Sequence, residues 1–237
     1  MKTTANPRFS SPHIVNRRKS FQISELQPRE YSPMLFAQEY TRLDFDLFAQ
    51  INPKTFLYQL HTKDAESIVT LLNSISFFNK MTTWFSSRFN EEINEMKPFY
   101  VEWLIYLAAE FENLNNFNGL MAVILSWNQI KVPHLPEELI MEMKRLEDTM
   151  SMFSNFRSYR KLLHEVTAPC VPFLGLYIKD LYFIEEGNSS VNDNLINIVK
   201  LKMISEKSQK LKTWQSKPYQ FHDTKEGHEL YDMLYLQ

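Results

Sequence analysis

Two adjacent carboxylates, Glu185 and Glu186, close an apolar stretch that reads VPFLGLYIKDLYFIEEGN from Val171 to Asn188. Gly187 and Asn188 form a left-handed helix-stop signal, so the stretch is predicted to end a helix. Its aromatics and Ile would also allow a strand. On the helical reading, both Glu residues sit where the macrodipole disfavours anions by roughly 0.3–1 kcal/mol each. Either solvent tolerates that cost, or a carboxylate is held out towards a partner. The helix itself is apolar almost all round, which is too much for an element packed on one side. It either lies deep in a core or offers aromatic surface to something else.

Other chemistries find little support. The histidines at 13, 61, 134, 164, 222 and 228 form no H-E-x-x-H. His222, Asp223 and His228 are close in sequence and could meet a metal, but a solvated turn is much the plainer reading. No metal site and no cofactor are expected. The single cysteine, Cys170, lies between Pro169 and Val171 and reads as a buried inert thiol. It excludes an intrachain disulfide and fits a reducing compartment. There is no G-x-S-x-G, so no covalent catalysis is signalled.

The chain has 237 residues, of which four are glycine. Ordinary chains carry roughly 7%. Gly119, Gly175, Gly187 and Gly227 cannot be arranged into a dinucleotide fingerprint or a P-loop. A glycine-poor chain with 18 Phe and 44% hydrophobic residues is expected to be mostly helical. Its net charge of −2 creates no global field for nucleic acid, and none is expected as a partner. No apolar run reaches the roughly 18 residues of a membrane span.

Residues 1–33 read as a flexible basic tail with four prolines. The start is Ser-rich and acid-free until Glu25, as transit peptides are, but it shows no amphipathic helix. Arg17-Arg18-Lys19-Ser20 could meet an anionic surface or take a phosphate; a solvated tail is the plainer reading.

Helical periodicity begins near Met34, with Phe36, Tyr40, Leu43 and Leu47 on one face. A long helix is predicted over 64–89, capped by Asp64, with Ile68, Leu71, Leu72, Ile75, Phe78, Trp84 and Phe85 apolar. A central helix follows over 98–112, with Phe99, Val101, Trp103, Leu104, Ile105 and Leu107. A polar break at 113–118 precedes an apolar run over 119–127. A helix over 136–153 turns Leu139, Met143, Leu146, Met150 and Phe153 inward. After the 171–188 stretch, another helix is expected from about Asp193 to Thr213, with Leu195, Val199 and Met203 on one face. The two would form a helical hairpin across a short polar loop, 188–192.

The blocks LNNFNG (114–119), WN (127–128), PCVPFLGLYIKDLYFIEEGN (169–188), LINIVKLKMI (195–204) and KPYQF (217–221) carry a resemblance. With LDFDLF (43–48), Pro53 and FFNKMTTWF (77–85), they are similar to the catalytic domain of the Ras guanine-nucleotide exchange factors (RasGEF), the family that includes Son of Sevenless. The resemblance runs from about residue 34 to the end. It implies an all-α fold: a single oblong helical domain, 34–237, with a projecting helical hairpin at about 174–213. It implies a non-covalent exchange factor that accelerates GDP release from a Ras-family small GTPase and holds the nucleotide-free intermediate. The hairpin would open switch I, and a hydrophobic pocket would hold switch II.

By the same resemblance, Glu186 would enter the α-phosphate region and Tyr182 would overlap the magnesium site. Ile75, Met121, Phe156 and Phe173 would form the pocket. Asn128, Lys179, Asp180 and Asn188 would touch the GTPase. Core packing alone is the competing account of the apolar positions. A cytoplasmic location is implied, with recruitment to the membrane that anchors the GTPase. The chain departs from the family pattern in three places. No Trp occurs in Leu57–His61, Pro133-His134-Leu135-Pro136 replaces the usual residues after Val132, and Tyr182 is bulkier than its counterparts. No room is seen for the regulatory helical module that precedes this domain in the family. Two other readings remain: a GTPase-binding module of this fold without exchange activity, and a lipid adaptor. The latter draws on Lys200, Lys202, Lys207, Lys210, Lys212 and Lys217.

Overall fold

The computed structural model describes residues 26–53, 65–192 and 195–235. Among them are nine α-helices: α1 (Pro33–Ala49), α2 (Ala65–Glu91), α3 (Lys97–Asn113), α4 (Phe117–Trp127), α5 (Glu137–Thr149), α6 (Arg157–Glu165), α7 (Leu174–Gly187), α8 (Ile198–Gln215) and α9 (Lys225–Tyr235). One two-stranded ladder, β1 (Val191–Asn192) with β2 (Leu195–Ile196), joins α7 to α8. The fold is all-α, as expected.

Helix α1 starts where Ser32 Oγ accepts from the Leu35 N–H at 3.2 Å and Pro33 fixes the first turn. Its face of Phe36, Tyr40 and Leu43 is buried as the periodicity predicts, and Leu47 is half-buried. Phe36 packs among Trp84 of α2 (5.8 Å between centroids) and Trp103 of α3 (5.1 Å). Each buried aromatic of this kind contributes roughly 1.5–3 kcal/mol. The central helix is α3, in which Tyr100, Val101, Leu104, Ile105, Leu107, Ala108 and Phe111 are all fully buried. Helix α4 crosses it closely: a Cβ on Gly119 would lie 2.9 Å from the Phe111 ring, so only glycine fits. Helix α9 packs back on α1.

A buried polar knot joins α1 to α4. Asn116 caps α4 by accepting from the Gly119 N–H at 2.8 Å, and its Nδ2 donates to Thr41 Oγ1 at 3.1 Å. Asn118 Nδ2 donates to Asp44 at 3.1 Å. Burial pushes the Asp44 carboxyl up to about 7, against the hydrogen bonds from Asn118 and Asn116. The same Asn116 forms a parallel bridge to Val171, which fixes the chain entering α7.

Several boundaries differ from expectation. Part of the segment assigned to the tail packs on the helices: Leu26 is buried and Trp103 Nε1 donates to the Tyr31 carbonyl at 3.0 Å. Asp64, the expected cap of α2, lies outside the described residues, and so do Leu57–His61. Leu72 and Phe99 are exposed. Leu72 sits about 100° round the helix from the buried Leu71, and Phe99 is in the first turn of α3. Phe153 is exposed rather than core. Helix α5 stops at Thr149, and Ser154, Asn155 and Phe156 all take positive φ, which turns the chain off the predicted face.

The hairpin also differs in detail. Gly187 does not take a left-handed φ, and Asn188 is extended (φ −134°, ψ 121°). The cap is instead Asn188 Nδ2 donating to the Ile184 carbonyl at 2.9 Å. Helix α8 starts at Ile198, not at about 193. Asn197 caps it by accepting from the Lys200 N–H at 3.0 Å, and Leu195 belongs to β2. Asp193 is not among the described residues.

Candidate functional site

The chain reaches the site through the bridge at Val171, and the Phe173 N–H then donates to Tyr159 Oη at 2.8 Å. That bond sets the Phe173 ring 6.0 Å from Phe156 and 5.9 Å from Phe78. Gly175 permits it, since a Cβ there would lie 2.6 Å from the Phe173 ring. Phe156 is held by an unusual backbone, with φ of 60° as the N-cap of α6. Such a conformation is rare for an aromatic residue and persists only where its surroundings enforce it.

Phe156 and Phe173 therefore meet. Ile75 is half-buried on α2, one turn before Phe78. Met121 is buried on α4, which packs against α2. Met121 and Phe156 can only be floor, because they are 4% and 5% exposed, whereas Phe173 is half-buried. Asn128 is exposed at the C-terminus of α4. Neither Phe78, read only as an apolar residue of its helix, nor Tyr159 was assigned to the site from the sequence. For Phe78 the signal was there, at i+3 from Ile75. For Tyr159 it was not, because its role lies in a bond across 14 residues.

Helix α7 resolves the puzzle of its apolar surface in both ways at once. Leu174, Leu176, Tyr177, Leu181 and Ile184 are buried, while Tyr182 and Phe183 are exposed, with rings 5.9 Å apart. Tyr182 and Glu186 are four residues apart and share one face. Glu186 is exposed, with no hydrogen bond or ion pair among the described residues. Its neighbour Glu185 turns inward, where Lys200 Nζ donates to Glu185 Oε1 at 2.7 Å, to Ser190 Oγ at 2.9 Å and to the Glu185 carbonyl at 3.3 Å. The two carboxylates thus have different fates: one anchors the hairpin and the other faces water.

Asp180 is also anchored. Arg160 binds it with both Nη atoms, at 2.7 and 2.5 Å, and Lys207 Nζ donates to it at 2.6 Å. Burial opposes its charge, but the bonds and charges of Arg160 and Lys207 outweigh it and hold the carboxyl below its ordinary value. Lys179 is exposed. Its Nζ donates to Asn155 Oδ1 at 3.2 Å and lies 6.0 and 5.9 Å from the centres of the Phe156 and Phe183 rings. Asn188 is the cap described above.

The basic cluster on α8 largely dissolves as an outward surface. Lys200 is 4% exposed, Lys207 binds Asp180, Lys210 lies 5.1 Å from the centre of the Trp214 ring, and Lys202 is 3.9 Å from Glu206. Cys170 is fully buried, and burial pushes its thiol up, as expected of an inert residue. No group of three metal-binding side chains occurs among the described residues, and Asp223 pairs with Arg42 at 3.1 Å. No helix among them is long and apolar enough to cross a membrane.

An all-α fold carrying this hairpin beside an aromatic cluster defines a class, and residues 35–202 match the RasGEF domain. The chain belongs to that family. It is 30% identical over 210 residues to Ras guanine nucleotide exchange factor P of Dictyostelium discoideum, covering 83% of this chain and 14% of that protein. It is 32% identical over 173 residues to Ras guanine nucleotide exchange factor efc25 of Schizosaccharomyces pombe, covering 69% of this chain and 17% of that protein. It is 26% identical over 235 residues to Ras guanine nucleotide exchange factor M of Dictyostelium discoideum, covering 94% of this chain and 25% of that protein. The chain therefore spans a quarter or less of the length of these relatives.

Proposed function

We propose that this chain accelerates release of guanine nucleotide from a Ras-family small GTPase by binding its nucleotide-free form. The observation that carries the reading is the two-sided helix α7, with Tyr182, Phe183 and Glu186 exposed while Asp180 and Glu185 are tied down behind them. The family and the names of the relatives support it.

In this reading α7 enters beside switch I. Glu186, at the negative end of the helix dipole, competes with phosphate for the GTPase's donors and repels it. Tyr182, on the same face, excludes the magnesium ion sterically without ligating it. Switch II lays an aromatic residue against Phe78, Phe156 and Phe173. No covalent bond changes. Lys179 and Asn128 are exposed and available to the partner; Asp180 and Asn188 are engaged internally. A nucleotide held at picomolar strength represents about 16 kcal/mol, whereas one buried aromatic supplies about 1.5–3 kcal/mol. The contact surface is therefore broad, and the exposed apolar residues of the hairpin extend it.

Reciprocity makes a direct test. Immobilised chain should capture nucleotide-free Ras, Rap or Ral proteins and release the captured one when GDP and magnesium are added. Equal retention with and without nucleotide would mark a binding module without exchange activity.

A further inference from the structure

Asp180 matches a position that touches the GTPase in the resemblance, yet its carboxylate is occupied from two sides. Arg160 comes from α6 and Lys207 from α8, so three helices meet on one side chain. What surrounds this junction is not close-packed. An open groove of about 380 Å³ lies between α6, α7 and α8, floored by Leu163, Leu176, Ile184, Met203 and Trp214. Where the groove opens, the polar contacts of Asp180 bridge what apolar packing leaves apart. The root is fixed further in. Tyr177 meets Trp214 edge-on at 5.8 Å, and Gln215 Nε2 donates to the Phe48 and Ile51 carbonyls at 2.8 Å. A packed root, an open groove above it and the ion pairs from Asp180 to Arg160 and Lys207 across the groove, with Glu185–Lys200 nearer the tip, describe a hinge with a clamp.

The clamp also reaches the pocket. Arg160 Nε donates to the Asn155 carbonyl at 2.8 Å, and Asn155 Oδ1 accepts from Lys179. Asn155 stands in the positive-φ turn that places Phe156 against Phe173. Pocket and wedge thus share a keystone.

We propose that Asp180, Arg160 and Lys207 are positioning residues that set the angle of the α7–α8 hairpin, and that Asn155 couples this clamp to the aromatic pocket. The assignment deepens the exchange reading and rests on it for its functional half. The clamp holds α7 at a fixed angle to the core, so that Glu186 and Tyr182 arrive in register with a GTPase whose switch II already sits in the pocket. Loss of the clamp leaves the partner contacts intact and the wedge misplaced.

The test has two arms on the full chain. In the first, spin labels at Leu195→Cys and Glu138→Cys, both exposed positions, report the distance from hairpin to core without any GTPase. Asp180→Asn should broaden that distribution, and Arg160→Lys should broaden it less than Arg160→Met. In the second, nucleotide release is followed against GTPase concentration. Asp180→Asn should lower the maximal rate about tenfold or more while the KM changes less than about threefold. An unchanged distance distribution overturns the clamp. A rise in KM alone overturns it too, and makes Asp180 a partner contact. If the wild type speeds no GTPase, the exchange reading fails, while the distance arm still decides the clamp. Should Asp180→Asn not fold, Lys207→Gln on the half-exposed side of α8 carries the same expectations.

Discussion

Asp44 and Asp180 are both withdrawn from water, yet their titrations act on stability in opposite senses. Asp44 is raised to about 7 from an ordinary 3.8. The folded state therefore holds its proton more tightly, and the group weakens the fold progressively as pH rises from about 4 to about 7. Asp180 is lowered, so its contribution is present above the ordinary carboxylate range and is lost as pH falls through its depressed folded value. The windows do not overlap. Asp44→Asn should flatten the decline in chemical-denaturation stability between about pH 4 and 7 while leaving the acid limb in place. Lys200 provides a second residue-scale prediction. Removing it as Lys200→Met deletes its charged hydrogen bonds to Glu185 and Ser190, which should cost about 1.5–3 kcal/mol, read as a lowered midpoint in urea. Gly175→Ala should push the Phe173 ring out of its place, because the added Cβ needs space that the ring occupies. Near-ultraviolet circular dichroism would register that change, with the far-ultraviolet helix signal preserved.

At the scale of elements, local capping carries the hairpin. Asn197→Ala removes the side-chain acceptor at the start of α8 and should cost about 0.5–2 kcal/mol. The loss should appear as faster amide hydrogen exchange in α8 before α1 or α3 is affected. The helices with one apolar face were legible in the sequence because burial follows the 3.6-residue period; Phe36, Tyr40, Leu43, Met143 and Leu146 all lie where that period puts them. The ends were less legible. Gly187-Asn188 looked like a left-handed cap, but Asn188 uses its side chain instead, and the β1–β2 ladder takes residues assigned to α8. Phe153 left its predicted face because three consecutive positive-φ residues carry no marker when none is glycine. The site was half legible. Phe156, Phe173, Tyr182 and Glu186 came from the resemblance; Phe156 and Phe173 are neighbours, and Tyr182 and Glu186 are exposed on one face of α7. Arg160, Lys207 and Lys200 were invisible, since ion pairs across 20, 27 and 15 residues leave no periodic trace.

For the whole molecule, charge decides one of the alternatives. A lipid role rested on six lysines, each worth about 1 kcal/mol near an anionic bilayer. Lys200, Lys207 and Lys210 are engaged within the protein, which leaves Lys202, in an exposed pair with Glu206, and the exposed Lys212 and Lys217. About 3 kcal/mol is too little to hold a protein at a membrane. Residues 26–235 should therefore sediment poorly with phosphatidylserine vesicles even at low salt. Strong, salt-sensitive sedimentation would return the lipid reading.

The central claim is that an anchored hairpin presents a carboxylate to empty a GTPase. Release of a fluorescent guanine nucleotide from Ras, Rap and Ral proteins, with wild type and Glu186→Ala side by side, measures it most directly. The wild type should speed release from at least one of them, and Glu186→Ala should slow that release about tenfold or more with an unchanged melting temperature. A wild type that binds a GTPase yet leaves its nucleotide release at the spontaneous rate would contradict the account.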